Sequence, residues 1–362
     1  MREVSTASQN EKGGQMAASG YFQRVNRETP TRFWINNPTA QDVERALMAG
    51  AVDCTTNPSY CAKLLQSEPA YIRAVIDAVV KEVKNNDEAA ERVYHEASAR
   101  IMRMFLPLHE KSGGTQGFVT IQDDPRSDDS AEHIVDVTMR CMRLGKNFMT
   151  KIPVIASGAK AIEELVARNV PICATEVFAV SQAVHICEAY QRAAKKSGNH
   201  PPFYVTHITG IFDQYMAETV KAERISIAPE ILAQAGCLIA RKEYRILKER
   251  GYEGILLGGG ARGTQHFTEF VGGALHITIN WSTAEELIAK NGPVVSRIDA
   301  PTPREVVEEL RAKVPGFRRG YDEDGLAVEE FADYGPLMFF KAMFLNGYAR
   351  LLDEVAERRA QQ

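Results

Sequence analysis

Residues 148–178 read FMTKIPVIASGAKAIEELVARNVPICATEVF, and they set the fold. The apolar run 148–154 and the run ICATEVF (172–178) read as buried strands, and residues 159–168 between them fit a helix. A strand, a helix and a second strand in so short a span predict a βαβ unit with parallel strands. Lys151 stands inside the first run. Burying an ammonium ion is costly unless it is paired or deprotonated, so this lysine needs a chemical explanation.

The same alternation extends both ways along the chain. Further strands are predicted at FWIN (33–36), VDCTTN (52–57), GFVTIQ (117–122), FYVTHI (203–208), GILLGG (254–259) and ALHITI (274–279). Helical patterns fit residues 70–83, 130–143, 179–196, 227–236 and 239–250, the last ending at Gly251 as the residue after the C-cap. Eight strands in about 250 residues fit a closed (β/α)8 TIM barrel better than an open sheet. No GxGxxG follows the first strand, which weakens a dinucleotide-binding fold. Residues 1–20 read as a disordered polar tail, 21–300 as the barrel of a single domain, and 301–362 as a C-terminal helical extension packed on it. The last helix, about 336–358, carries the apolar stripe Leu337, Phe340, Phe344, Leu351 and Val355. That stripe suits packing against the barrel first and a subunit interface second, so a homo-oligomer stays open.

Composition narrows the function. The chain has 362 residues, 44% hydrophobic and 25% charged, with net charge -4. Acidic and basic residues are interspersed, and no basic stripe points to nucleic acid or an anionic membrane. The six cysteines, at 54, 61, 141, 173, 187 and 237, form no Cys-x-x-Cys pair and read as small buried hydrophobes in a reducing compartment. The N-terminal stretch lacks an apolar h-region, and no apolar run reaches membrane-spanning length, so a cytoplasmic protein is expected.

In a barrel of this kind the chemistry sits at the C-terminal ends of the strands. Those ends offer Asn36, Asn57, Gln122, Lys151, Thr175 and His207. An amine that reacts near neutral pH needs a desolvated pocket and hydrogen-bond partners. Such a lysine forms a Schiff base with a ketose carbonyl, and the iminium then serves as an electron sink for making or breaking the adjacent carbon–carbon bond.

CTTNPSY (54–60), KIPVIASGAKAIEEL (151–165) and NVPICATEVFAVSQA (169–183) together resemble the transaldolase and fructose-6-phosphate aldolase family, over roughly residues 32–280. The resemblance implies that Lys151 is the Schiff-base lysine. It implies that Asn57, with Thr56 beside it, holds hydroxyls of the donor, and that Thr175 orients the catalytic water. No cofactor is implied, because the lysine carries the intermediate, and the implied partner is a small sugar or sugar phosphate of pentose-phosphate-type carbohydrate metabolism.

Departures from the family pattern are equally informative. Its first strand ends in aspartate, and here Asn36 stands there, or Asn37 if the register slips by one. Transaldolases end the third strand in glutamate, whereas Gln122 stands here, as in the aldolases of the family. Neither amide takes a proton at pH 7, so the usual carboxylate base is missing. His207 occupies the place of the aldolases' acid/base tyrosine; it either fills that role or is a hydrogen-bonded residue of the barrel wall. Gly210 replaces a phosphate-gripping arginine, and GGGAR (258–262) keeps a cation, Arg262. With Gly260 it forms either a remodelled phosphate cradle or a flexible turn.

No two histidines fall at metal-ligand spacing, so no metal site is expected. DDPRSDD (123–129) reads as a solvated loop before a helix N-cap at Ser130. Three functions follow: a transaldolase-like enzyme moving or cleaving off a dihydroxyacetone-type three-carbon unit, an aldolase with an altered and even non-phosphorylated substrate, or a sugar-phosphate-binding pseudoenzyme.

Overall fold

All of the apolar runs expected to be strands pair side by side, in parallel, in chain order, and the last closes on the first. A computed structural model describes residues 20–362. Its strands are β1 (Arg32–Asn36), β2 (Asp53–Thr55), β3 (Val119–Gln122), β4 (Phe148–Pro153), β5 (Ile172–Val177), β6 (Phe203–Ile208), β7 (Ile255–Gly259) and β8 (His276–Ile279), and they form a closed barrel. The chain is thus a (β/α)8 TIM barrel. The expected N-terminal tail lies outside the described residues except for Gly20.

Inside the barrel, the end away from the strands' C-termini is plugged by an apolar cluster that includes Trp34, Phe118, Met149, Tyr204 and Leu257. Trp34 Nε1 donates to His276 Nδ1 at 2.7 Å, so the indole is satisfied within the plug. Burial, reinforced by Arg32, pulls the His276 pKa down to about 3, and a neutral ring can accept that bond. Outside the strands, two larger clusters join barrel and helices.

The helices match the sequence less closely than the strands. Ser130 caps helix Ala131–Cys141 by accepting from His133 N, and Gly251 has φ +64 just after helix Ala235–Glu249. The expected 227–236 helix is instead a short turn, Pro229–Leu232, with the next helix starting at Ala235. Several helices lie outside the ranges read from the sequence, among them Tyr60–Ser67, Asn86–Lys111 and Thr209–Ala222. The long one buries Val93, Ala97, Ile101 and Phe105 at a spacing of four, with the small residues Ala89, Ala90, Ser98 and Ala99 beside them. The last begins directly at the end of β6 with no side-chain cap to announce it.

The C-terminal helix Gly335–Ala360 buries Leu337, Phe340, Phe344, Leu351 and Val355. It lies against helices Tyr60–Ser67, Pro69–Glu82, Asn86–Lys111 and Thr209–Ala222. At Gly347 an added Cβ would stand 2.7 Å from Ser59 Cα, so only glycine lets the helix settle on the TNPS turn. Ser59 Oγ also donates to Met343 O at 3.2 Å. Among the described residues no helix is long and apolar enough to cross a membrane, and all six cysteines are buried and free.

Candidate active site

Strand alternation decides which groups meet inside the barrel. On β4, Thr150 points outward to Thr138 of helix Ala131–Cys141, 2.8 Å away, and its neighbours Met149 and Lys151 therefore point inward. Register sets Lys151 level with Gln122 on one side and Cys173 on the other. Lys151 is only 6% exposed. Its Nζ donates to Gln122 Oε1 at 2.9 Å and lies 5.4 Å from the centre of the Phe344 ring. Burial lowers the lysine pKa, opposed by the charges of Cys173, Glu176 and Asp128.

The lysine opens into a cavity of about 240 Å³ that Asn36, Asn57, Thr206, Asn280 and Arg262 help to line. The helix Gly335–Ala360 roofs it with Phe340, Met343 and Phe344, so the C-terminal helix is part of the pocket and not merely an outer layer. Asn36 ends β1; its Oδ1 accepts from Thr55 Oγ1 and its Nδ2 donates to Asn280 Oδ1, both at 2.9 Å. Asn37, with φ +46, also lines the cavity and donates from Nδ2 to Asn57 Oδ1 at 3.1 Å. Asn57 Oδ1 accepts from Ser59 N as well, at 3.0 Å. Its oxygen is thereby used within the protein, and its amide nitrogen is the group left for a ligand. Thr175 is buried on β5 in register with Pro153, and its hydroxyl has no partner among the described residues.

Two sequence expectations are corrected by the direction of the side chain. Thr56 does not enter the pocket. Its Oγ1 donates to Thr120 O at 2.7 Å and lies 2.9 Å from the Tyr94 hydroxyl, on the helix side of the wall. His207 is likewise turned outward, because its neighbours Thr206 and Ile208 line the cavity. Its Nδ1 lies 2.9 Å from Glu243 Oε1 of helix Ala235–Glu249, both side chains being fully buried. The structure therefore does not bring His207 to Lys151, and the wall-residue alternative describes its position.

A third correction concerns carboxylates. Sequence motifs left the site with none, yet Glu176 is there. Gln122 Nε2 donates to Glu176 Oε1 at 2.7 Å, linking Lys151, Gln122 and Glu176 in one chain. Nearby Asp128 was expected in a solvated loop but is buried, with its Oδ2 3.3 Å from Lys341 Nζ of the roofing helix. Burial raises the pKa of both carboxyls; Lys151 chiefly opposes this at Glu176, whereas at Asp128 the charge of Glu176 adds to it.

At the mouth, Gly260 (φ +65), Ala261 and Arg262 fold over helix Thr209–Ala222. Arg262 Nε donates to Gln214 Oε1 at 2.9 Å. Arg262 N donates to His266 Nδ1 at 3.1 Å, so His266 Nε2 carries the proton offered to Asp213 Oδ2 at 2.8 Å. Lys63 Nζ donates to Asn37 O at 2.6 Å and lines the same cavity. The two cations Arg262 and Lys63 thus share one pocket with Lys151.

Gly210 explains why the family's arginine is absent. A Cβ there would lie 2.6 Å from both Arg262 N and Gly260 O, which are backbone atoms that cannot swing aside. The loop occupies the space an arginine stem would need. Gly210→Ala should therefore cost about 1–3 kcal/mol by overpacking, and Gly210→Arg at least as much, measured by denaturant unfolding. Tighter binding of a phosphorylated ketose by Gly210→Arg at unchanged stability would sink this account.

Fold and site together define a (β/α)8 barrel built around a desolvated lysine at the C-terminal ends of its strands. The profile of the Transaldolase/Fructose-6-phosphate aldolase family matches residues 33–333, and the chain belongs to that family. Its relatives include a transaldolase of Shewanella amazonensis, 24% identical over 81% of this chain and 87% of that protein. A transaldolase of Trichodesmium erythraeum is 24% identical over 59% of this chain and 62% of its own. Among solved structures, a methanol:cobalamin methyltransferase complex from Methanosarcina barkeri aligns with 76% of this chain and 82% of its own. Its TM-score of 0.35 and 11% identity are too slight to carry an argument.

Proposed function

We propose that the protein is a Schiff-base enzyme of the transaldolase type that transfers, or simply cleaves off, a dihydroxyacetone-type three-carbon unit of a sugar or sugar phosphate. The observation that supports this most is Lys151: an amine 6% exposed, its pKa lowered by burial, opening into a cavity lined by amides and hydroxyls. The neutral amine attacks the ketose carbonyl, and loss of water gives the iminium. Cleavage of the C3–C4 bond sends its electron pair into the iminium, releases an aldehyde as the C4 hydroxyl passes its proton to the water that Thr175 holds, and leaves an enamine on the lysine. That enamine adds to another aldehyde in transfer, or takes a proton in simple cleavage.

Asn57 and Asn36 hold hydroxyls of the bound fragment, and Thr175 holds the water of the carbinolamine steps. Arg262 and Lys63 take the phosphate. Arg262→Ala should accordingly raise KM for a phosphorylated ketose about 10- to 100-fold, the worth of one charge-assisted hydrogen bond, with little change for the non-phosphorylated sugar. Equal effects on both substrates would remove Arg262 from the phosphate site. The test of the reading itself is borohydride reduction with a panel of ketoses, read by intact mass and peptide mapping. An adduct on Lys151 establishes the chemistry and the donor together; no adduct with any ketose overturns it. The absence of a carboxylate at the ends of β1 and β3 favours the second reading, a sugar-phosphate-binding protein without turnover, and ligand binding without trapping would select it. The first reading implies a place in carbohydrate metabolism of the pentose-phosphate type, in the cytoplasm.

A further inference from the structure

Strand β5 is unusual at one residue. Glu176 has φ +58, a left-handed conformation that side chains with a Cβ rarely adopt. Pairing with β6 slips at this point, between Ala174 and Val177, so the residue sits in a bulge. Gln182 clamps that bulge: its Nε2 donates to Glu176 O and Val154 O, and its Oε1 accepts from Phe178 N. The bulge turns a wholly buried carboxylate toward Gln122. One oxygen accepts from Gln122 and the other has no partner among the described residues. Strain and an incompletely satisfied buried acid both oppose folding, and local strain of this kind gathers at functional sites.

The chemistry of an amide shows what the acid can do. Gln122 presents a donor and an acceptor that exchange places when the group flips. Here Nε2 donates to Glu176 Oε1, and the glutamine's own Oε1 is thereby left to face Lys151. The oxygen then takes one N–H of the lysine and directs the nitrogen's lone pair elsewhere. With the amide flipped, its N–H would bind that lone pair and block attack on a carbonyl.

We propose that Glu176 is a positioning residue for Lys151: acting through Gln122, it holds an acceptor at the lysine nitrogen and leaves the amine's lone pair to the pocket. This rests on the reading of Lys151 as a nucleophile, and it places the carboxylate on β5, where no motif of the sequence pointed to one. The charged and titratable groups around it are Lys151 on β4, Cys173 on β5, Asp123 and Asp128 after β3, and Lys341 of the roofing helix. Glu176 and Asp128 both hold the lysine's proton on, against the effect of burial.

The test is reductive methylation of the full chain with formaldehyde and cyanoborohydride across pH. Lys151 is followed by peptide mass and normalised to the exposed Lys146 in the same digest. No sugar is involved, so failure of the ketose reading leaves this experiment interpretable. Glu176→Gln should move the Lys151 midpoint down by about one pH unit, because a nearby anion is lost. Its plateau rate should nevertheless fall about tenfold, because the Gln122 amide is free to flip. Glu176→Asp should keep the midpoint and recover part of the plateau. Melting temperature in Glu176→Asn, which tolerates φ > 0 and removes the charge, should equal or exceed the parent's. A parent-like profile in Glu176→Gln, or a Lys151 in the parent that stays unmethylated at every pH, overturns the proposal. So does a lowered melting temperature with an unchanged profile, which marks Glu176 as structural.

Discussion

Lys151→Met is expected to abolish borohydride-dependent labelling with every ketose and to leave the barrel folded. Methionine nearly matches the lysine stem in volume, and its thioether can lie under the Phe344 ring, on the face that also carries the plug residue Met149 two positions back. The variant should be as stable as the parent or more so at pH 7. The sign follows from linkage. Burial depresses the folded-state pKa, so between that value and the ordinary lysine range the unfolded chain binds more protons than the folded one. Lys151 therefore destabilises the fold most below its folded pKa, and this cost is relieved as pH rises toward the ordinary value. The gain from Lys151→Met should shrink between pH 7 and pH 10, measured by denaturant unfolding. Labelling that survives in the variant would remove Lys151 from the chemistry; a gain that grows with pH would mean the buried amine is not depressed.

His207→Phe should damage the fold and spare the reaction. The sequence alone allowed a general acid/base worth about 10²–10⁴-fold in turnover. The structure instead pairs the imidazole with Glu243 behind the wall. Removing the imidazole leaves the buried Glu243 carboxyl without its hydrogen-bond partner, which costs about 1–3 kcal/mol. Burial already raises the Glu243 pKa against the pull of His207, and without the histidine the carboxyl stays protonated in the fold to still higher pH. The unfolded chain releases that proton above about 4.5, so the variant's stability should fall as pH rises from 5 to 8. Glu243→Leu in the same chain should recover most of the loss. Turnover per folded molecule, with its pH profile, should match the parent; a lost acid or base limb would return His207 to the chemistry.

These two residues show how far the sequence reads. Lys151 was legible because a cation inside an apolar strand contradicts burial unless chemistry requires it. Asn36, Asn57 and Gln122 were legible as polar ends of apolar runs, and the structure brings all three around that amine or its cavity. His207 and Thr56 were misplaced for one reason. A parallel barrel buries both faces of each strand, one in the barrel and one under the helices, so apolar patterning does not separate inward from outward.

The sequence by itself determined the eight strands, their parallel order and the lysine, because short apolar runs between helices admit few other arrangements. Tertiary structure decided which side of the wall each polar residue faces, since register and closure, not composition, fix strand parity. It decided that the C-terminal helix roofs the pocket with Phe344, through contacts between residues far apart in the chain. It also decided that Glu176 turns in beside Gln122. A one-residue bulge at φ +58 reverses the parity of β5 and leaves no trace in the apolar pattern, because the strain is held by Gln182, a clamp that closes only once β4 and β5 are paired.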